Sequence, residues 1–128
     1  MKKNKFSKNW IIKQKRDIYV KKSKLEGYRS RAVYKLQEIN DKFKIIKNNI
    51  SVIDLGAAPG SWSQYISRNF SNSKIISIDL KDIEPIKNLI HIKGDFTEEQ
   101  QKKNIKNYFG KKVDLIVSDL SLIHISEP

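Results

Sequence analysis

Two glycines and three acidic residues are spaced in the sequence so that they can form one ligand site. Gly56 and Gly60 bound the segment Gly-Ala-Ala-Pro-Gly, which directly follows a short apolar, β-branched run. Asp79, Asp95 and Asp119 each follow, within two residues, a later apolar run. Glycine lets a backbone approach a ligand closely and adopt positive φ, and carboxylates accept hydrogen bonds from hydroxyls and amines. The set therefore suits a ligand that carries hydroxyl and amine groups, such as a nucleoside.

A phosphate-bearing ligand is a poorer match for these residues. The glycine segment lacks the patterns Gly-x-Gly-x-x-Gly and Gly-x-x-x-x-Gly-Lys-Ser/Thr, which weakens a nicotinamide-dependent oxidoreductase or a nucleotide-triphosphate site. S-adenosylmethionine has ribose hydroxyls, an adenine amine and a sulfonium cation but no phosphate, and it is the cofactor that the residues favour. For the glycines taken alone, a plain connection between a strand and a helix remains the alternative.

The apolar runs predict the elements that must position these residues. Strands are predicted at 50–55, 74–78, 89–93 and 113–117, and helices at 31–43, 61–70 and 98–109. Short apolar strands alternating with helices indicate an α/β protein with a doubly wound parallel sheet. Ligands bind beyond the carboxyl ends of such strands, so Gly60 and the three acids are expected to meet at one edge of the sheet.

Helix caps and faces follow from the same patterns. Ser30 is predicted as the N-cap of the first of these helices, and Thr97 with Gln100 as a capping box at the last. Lys35 lies beside the predicted apolar stripe, so its ammonium either reaches a functional site or simply extends into water. That stripe contains Ala32, Val33, Leu36, Ile39 and Phe43.

The positive charge is concentrated near the amino end. The net charge is +12, and residues 1–35 hold 13 basic and two acidic side chains whereas residues 36–128 hold 13 and 12. A dense basic segment beside a nearly neutral fold is typical of binding to a nucleic-acid backbone, with a solvated face of no function as the alternative. Residues 1–28 are predicted to form a basic arm, helical or irregular, that packs its apolar side chains on the domain. These are Trp10, Ile11, Ile12, Ile18, Tyr19 and Val20.

Composition excludes several classes of protein. The chain has no cysteine and two histidines, which excludes disulfides and makes a zinc site a poor interpretation. No apolar run approaches the length needed to cross a bilayer, and the amino end lacks the apolar segment of a signal peptide. We therefore expect a cytoplasmic protein without a metal or a membrane partner.

Two motifs at compatible spacing make the chain resemble the FtsJ-like ribose 2′-O-methyltransferases of RNA. The first is Arg29-Ser30-Arg31-Ala32 followed by Lys35-Leu36, and the second is Asp54-Leu55-Gly56-Ala57-Ala58-Pro59-Gly60 with Trp62-Ser63-Gln64-Tyr65. Asp79, Gly94-Asp95-Phe96 and Ser118-Asp119 continue the pattern. The resemblance implies a Rossmann-like S-adenosylmethionine-dependent methyltransferase fold, of which residues 29–119 would hold the first four strands.

The resemblance also implies a role for individual residues. Gly60, Trp62, Asp79, Asp95 and Asp119 would bind S-adenosylmethionine, with Asp79 on the ribose and Asp95 at the adenine. Lys35 and Asp119 would be the first two members of a Lys-Asp-Lys-Glu catalytic set. The implied substrate is a uridine ribose in ribosomal RNA of the large ribosomal subunit, and the implied protein is a monomer. Transfer RNA as the substrate, or a non-catalytic RNA-binding module, are the alternatives.

The carboxyl end departs from the family pattern. The second lysine and the glutamate of the catalytic set belong to later strands that this sequence does not contain, so the 128-residue chain is expected to be an inactive fragment. Residues 120–128 are expected to lie outside the family pattern and are predicted to be an artefactual tail.

Overall fold

The computed structural model describes residues 5–110 and 113–119, so the predicted tail at 120–128 lies outside the described residues. Within these described residues, four helices and four strands follow one another. They are α1 (Lys5–Glu26), α2 (Val33–Phe43), β1 (Ser51–Leu55), α3 (Ser61–Asn69), β2 (Lys74–Asp79), β3 (Leu89–Lys93), α4 (Glu99–Phe109) and β4 (Leu115–Ser118). The four strands and the three helices predicted at 31–43, 61–70 and 98–109 are confirmed, each to within two residues at either end.

The four strands form one parallel sheet in the order β3-β2-β1-β4. The strand order reverses direction at β1, because β2 and β3 lie on one side of it and β4 on the other. This reversal is the switch point at which doubly wound sheets bind ligands. The predicted α/β fold class is confirmed.

Helices cover both faces of the sheet, which explains why most residues of the two central strands are apolar. Successive residues of a strand face opposite sides. On one side, Val52 and Ile75 pack with buried residues of α2 and α3; on the other, Ile53 and Ile76 pack with Ile105 and Phe109. Residues of the first cluster that come from the helices are Val33, Tyr34, Leu36, Trp62, Tyr65 and Ile66.

The predicted N-caps at Ser30 and Thr97 are wrong, because each hydroxyl has another partner. Ala32 occupies the N-cap of α2 and Glu98 that of α4, and neither side chain forms a capping hydrogen bond. The Ser30 hydroxyl lies 2.8 Å from that of Ser61 at the start of α3. The Thr97 hydroxyl donates to Asp95. Both hydroxyls thus interact with other side chains instead of capping a helix.

The predicted arm is a helix, but the prediction that its apolar side chains pack on the domain is wrong. Trp10, Ile11, Ile12 and Ile18 are exposed on α1, and among residues 8–26 only Ser23 is buried. The contacts between this 22-residue helix and α2 come from its carboxyl-terminal half, where Tyr19 lies against the Tyr34 ring and Glu26 accepts from the Tyr34 hydroxyl. No helix in the described parts of the chain combines the length and apolarity that a membrane span requires.

The stripe predicted for α2 is only partly correct. Val33 and Leu36 are buried, but Phe43 at the end of the helix is 63% exposed, since no neighbouring element covers it. Tyr34 is buried instead, because the end of α1 lies over it.

Candidate functional site

Strand register brings the predicted acids to one edge of the sheet. Leu55, the last residue of β1, pairs with Ile78 of β2 and with Ser118 of β4. Asp79 and Asp119 are the residues that directly follow those two partners, so they flank the glycine segment after β1. Asp79 in turn pairs with Lys93 at the end of β3, two residues before Asp95.

The glycine segment begins α3 with a backbone that side chains rarely adopt. Gly56 and Gly60 have φ of 66° and 107°, and Gly60 is the N-cap residue of α3. A Cβ atom on Gly60 would lie 3.0 Å from Arg29 Nη1 and 3.3 Å from Ile86 Cδ1. The turn therefore requires glycine at this position for conformation and for space.

Trp62 lies in the first turn of α3, but its indole is part of the core. Its side chain is buried, and Nε1–H donates to the Ala32 carbonyl at 2.7 Å. As the second residue of the helix, Trp62 has a main-chain N–H without an intrahelical acceptor. The main chain, rather than the ring, is thus the part of Trp62 that can serve a ligand at this edge.

Asp79 and Asp95 are held by main-chain N–H groups. Asp79 accepts from Ala58 N and from Lys81 N, both at 2.9 Å, which ties the end of β2 to the glycine segment. Asp95 Oδ1 accepts from the Thr97 hydroxyl at 2.7 Å and from Thr97 N at 2.9 Å. These hydrogen bonds lower the pKa of Asp95, so its carboxylate stays ionised and remains an acceptor.

Asp54 is a buried acid beneath the same edge. It is not among the residues that were predicted from the sequence to bind a ligand or to act in catalysis. The pKa of Asp54 is raised to about 7, chiefly by burial and also by the negative charges of Asp119 and Asp79, while hydrogen bonds from Ser63 act in the opposite direction. The Ser63 hydroxyl donates to Asp54 at 2.7 Å. The signal in the sequence was an acid inside an apolar strand. Together, Asp79, Asp95 and Asp119 make this edge of the sheet electronegative.

Lys35 and Asp119, predicted to be catalytic, lie together. Lys35 Nζ is 3.7 Å from Asp119 Oδ1, and 46% and 37% of the two side chains are exposed. Lys35 belongs to the first turn of α2 and Asp119 follows β4, so the pair joins α2 to the carboxyl edge of the sheet. Both residues line an open cleft of about 1070 Å³. Its other lining residues are Tyr19, Lys22, Ser30, Arg31, Ala32, Tyr34, Gln37, Glu38, Asp41 and Lys42.

Arg29 is a second functional candidate to which the sequence analysis gave no individual role. Its guanidinium donates to the main-chain carbonyls of Pro59, Glu84 and Pro85 at 3.0, 2.8 and 3.1 Å. Its main-chain N–H donates to Gln64 of α3. Arg29 thus fastens the glycine segment to the connection between β2 and β3. The sequence could not predict this role, because it depends on which carbonyl groups lie near the guanidinium in the folded chain.

The assembled edge can bind a ligand with hydroxyls, an amine and a positive charge. The acids supply acceptors, the start of α3 supplies main-chain donors, and the electronegative surroundings favour a cation. Beside it, an ammonium held by a carboxylate can orient a hydroxyl or stabilise a developing negative charge. Within residues 5–110 and 113–119, no cluster of histidine and acidic side chains could hold a metal ion.

The chain is similar in sequence to ribosomal RNA methyltransferases of bacteria. The chain is 62% identical over 122 residues to the ribosomal RNA large subunit methyltransferase E of Pelagibacter ubique, and 47% identical over 121 residues to that of Rickettsia felis. These matches cover 95% and 90% of this chain but 60% and 53% of the relatives. The chain thus spans little more than half the length of these relatives.

A solved structure and a family model agree with these relatives. A crystal structure of a ribosomal RNA methyltransferase from Plasmodium falciparum superposes with a TM-score of 0.67 at 37% identity, over 78% of this chain and 60% of that one. Residues 28–127 match the sequence model of the FtsJ-like methyltransferases. The chain therefore belongs to the FtsJ-like methyltransferase family.

Proposed function

We propose that the chain is the cofactor-binding part of an enzyme that methylates a ribose 2′-hydroxyl, on a uridine of large-subunit ribosomal RNA, with S-adenosylmethionine. The observation that carries the proposal is the Lys35–Asp119 ion pair at the same sheet edge as the acids and the glycine segment. The names of the relatives support ribosomal RNA as the substrate. Such a substrate would make the large ribosomal subunit the partner of a cytoplasmic, monomeric protein.

The residues at the edge fit S-adenosylmethionine by their chemistry. When bound, this cofactor supplies a methyl group on a positively charged sulfur. Asp79 would accept from the ribose hydroxyls and Asp95 from the adenine amine, since both keep acceptor capacity beyond their main-chain partners. Gly60 leaves room for close approach, and the main-chain N–H of Trp62 offers a donor. Asp119 and its neighbours favour the cation.

Lys35 and Asp119 would act on the substrate hydroxyl. A ribose hydroxyl is a weak nucleophile that must be oriented and must lose its proton. Lys35 Nζ can donate to the 2′ oxygen, which fixes the oxygen and stabilises the negative charge that would develop as the 2′ proton passes to solvent water, to which the pair is open. Asp119 holds the ammonium in place. The catalytic role of the pair thus depends on orientation and charge.

The experiment uses the full-length product of the gene with ribosomal RNA. We expect Lys35→Ala to lose at least about a hundredfold in turnover, as removal of a positioned proton-handling or charge-stabilising group does, while calorimetry shows unchanged affinity for S-adenosylmethionine. Lys102→Ala is the control, because Lys102 also forms an ion pair, with Glu99 on α4, but neither residue lines the cleft. Unchanged turnover of Lys35→Ala would exclude its role. No binding of the cofactor by the unaltered protein would favour the non-catalytic RNA-binding module.

A further inference from the structure

Tyr19 is the aromatic residue of α1 that reaches the cleft containing Lys35. It is 44% exposed and lines that cleft together with Lys35 and Asp119. The other large apolar side chains exposed on α1, such as Trp10 and Ile18, are not among the lining residues. Tyr19 is thus an exposed aromatic residue on a positively charged helix. Such a residue can bind nucleic acid, because nucleobases stack on aromatic rings.

The ring of Tyr19 is held by a fixed neighbour. It lies 5.4 Å from the ring of Tyr34, centroid to centroid, at an interplanar angle of 32°. Tyr34 is buried and its hydroxyl donates to Glu26, while Tyr28 packs edge-on against its ring at 6.4 Å. A ring supported in this way loses little conformational freedom when a base stacks on it.

Cations that can meet phosphate groups line the same cleft as the Tyr19 ring, beside the acids Glu38 and Asp41. Lys22 Nζ lies 4.6 Å from the centre of the Tyr34 ring and also lines the cleft, as do Arg31 and Lys42. Helix α1 as a whole carries eight basic and two acidic residues. Aromatic faces combined with lysines and arginines are the general means by which proteins bind single-stranded nucleic acid. A peptide ligand would not need this combination.

We propose that Tyr19 is the stacking platform for an unpaired RNA base that enters the same cleft as the ribose held at Lys35. The proposal rests on the function proposed above and adds a binding residue that lies outside both sequence motifs. Tyr19 would thus select single-stranded RNA, because a base inside a duplex has no free face. Helix α1 would contribute a specific contact in addition to its charge.

The test measures binding of a short adenosine-rich single-stranded RNA, and of an abasic oligomer of the same length and charge, to the 128-residue chain. We expect Tyr19→Ala to weaken binding of the adenosine-rich RNA by about five- to a hundredfold, the range found for the loss of one stacked base. Binding of the abasic oligomer should not change. Tyr19→Trp should retain the affinity, and Tyr19→Leu, which keeps the apolar bulk, should lose it.

Tyr108→Ala is the matched control, since Tyr108 is also 44% exposed and lies 5.4 Å from a neighbouring ring, that of Phe109, but is not among the residues that line the cleft. Equal RNA affinity of the Tyr19→Ala and Tyr108→Ala variants would overturn the proposal, and so would equal losses for both oligomers. The proposed methyltransferase function fails by a different result, namely no methyl transfer to ribosomal RNA by the full-length protein.

Discussion

Arg29 shows how a charged residue can shape a binding site without an ionic partner. Its guanidinium donates to three main-chain carbonyls, on two segments that are far apart in sequence. Carbonyl groups at turns often have no main-chain donor as a partner. The planar guanidinium of arginine has five N–H groups and can donate to several such carbonyls at once. The glycine segment and the connection after β2, which together form one side of the edge, are thereby held at a fixed separation.

We expect Arg29→Lys to weaken binding of S-adenosylmethionine roughly tenfold, or about 1.4 kcal/mol, because a single ammonium cannot reach all three carbonyls. Calorimetry on the variant measures the affinity. Arg68→Lys is the control, since Arg68 also donates to carbonyls, those of Glu26 and Gly27, but not to the glycine segment. Cofactor affinity equal to that of the unaltered protein would show that the fastening does not matter for binding.

Asp54 makes stability depend on pH in a direction unusual for a carboxyl group. Burial raises its pKa from 3.8 to about 7 in the folded protein, so the folded state holds the proton more tightly than the unfolded state. This contribution to stability is fully present below about pH 4 and is lost as the pH rises through 7. Asp54→Asn should therefore reduce the fall in the free energy of unfolding between pH 5 and pH 7 by on the order of 1 kcal/mol per pH unit.

Urea unfolding at several pH values measures this effect. Asp82→Asn is the control, because the Asp82 side chain is 74% exposed and should leave the pH dependence as it is. If the Asp54→Asn protein kept the full pH dependence of the unaltered protein, another group would have to be its source.

At the scale of elements, the strands were predictable and the helix ends were not. Strands β1 and β2 are buried on both faces, so they are rich in isoleucine, valine and leucine and stand out from their surroundings. The caps depend on competition between partners: Asp95 takes the Thr97 hydroxyl, and Ser61 pairs with Ser30. Such competition is settled by neighbours that a linear pattern does not reveal.

The candidate site divides in the same way. The positions of Asp79, Asp95 and Asp119 followed from the rule that parallel strands end at one edge, and the structure brings Lys35 to Asp119. The fastening by Arg29 and the exposure of α1 were not predictable, because each depends on which segments lie near in space. Periodicity predicts which side of an element is apolar, but not whether another element covers it.

The start of α3 is the element whose backbone the site depends on most. We expect the Gly60→Ala variant to show no detectable binding of S-adenosylmethionine. Its free energy of unfolding should be lower by about 1–3 kcal/mol, the usual cost of a strained backbone. The added Cβ would meet Arg29 Nη1 at 3.0 Å at a φ of 107°. Calorimetry and urea unfolding measure the two effects.

Gly110→Ala provides the comparison for that experiment. Gly110 also has positive φ, 58°, but a Cβ there would meet nothing within 4 Å. This variant should lose only the cost of the left-handed conformation, about 1 kcal/mol, and keep the cofactor. Similar cofactor affinity in both variants would mean that the space around Gly60 is not needed for binding.

At the scale of the whole molecule, charge is separated between α1 and the sheet edge. The helix carries the excess of lysines, whereas Asp79, Asp95 and Asp119 gather where the strands end. An RNA backbone is attracted to the helix and repelled from the acids, while a cationic cofactor is favoured at the acids. The two proposed ligands are thus directed to different parts of one small domain, and they meet at Lys35.

The sheet of the 128-residue chain exposes an apolar strand at one side. Among the described residues β4 pairs only with β1, and Ile116 on β4 is 59% exposed. An apolar strand at the side of a sheet can act as a template on which a second copy of the chain pairs. We expect the 128-residue chain to self-associate with increasing concentration, and Ile116→Lys to weaken that association roughly tenfold, since a charge on an edge strand opposes strand pairing. Sedimentation velocity over a range of concentrations measures it.

Leu25→Lys, which removes an apolar side chain that is 88% exposed on α1 rather than on a strand, should leave the association unchanged. An equal effect of both variants would point to general hydrophobic contact instead of pairing at β4.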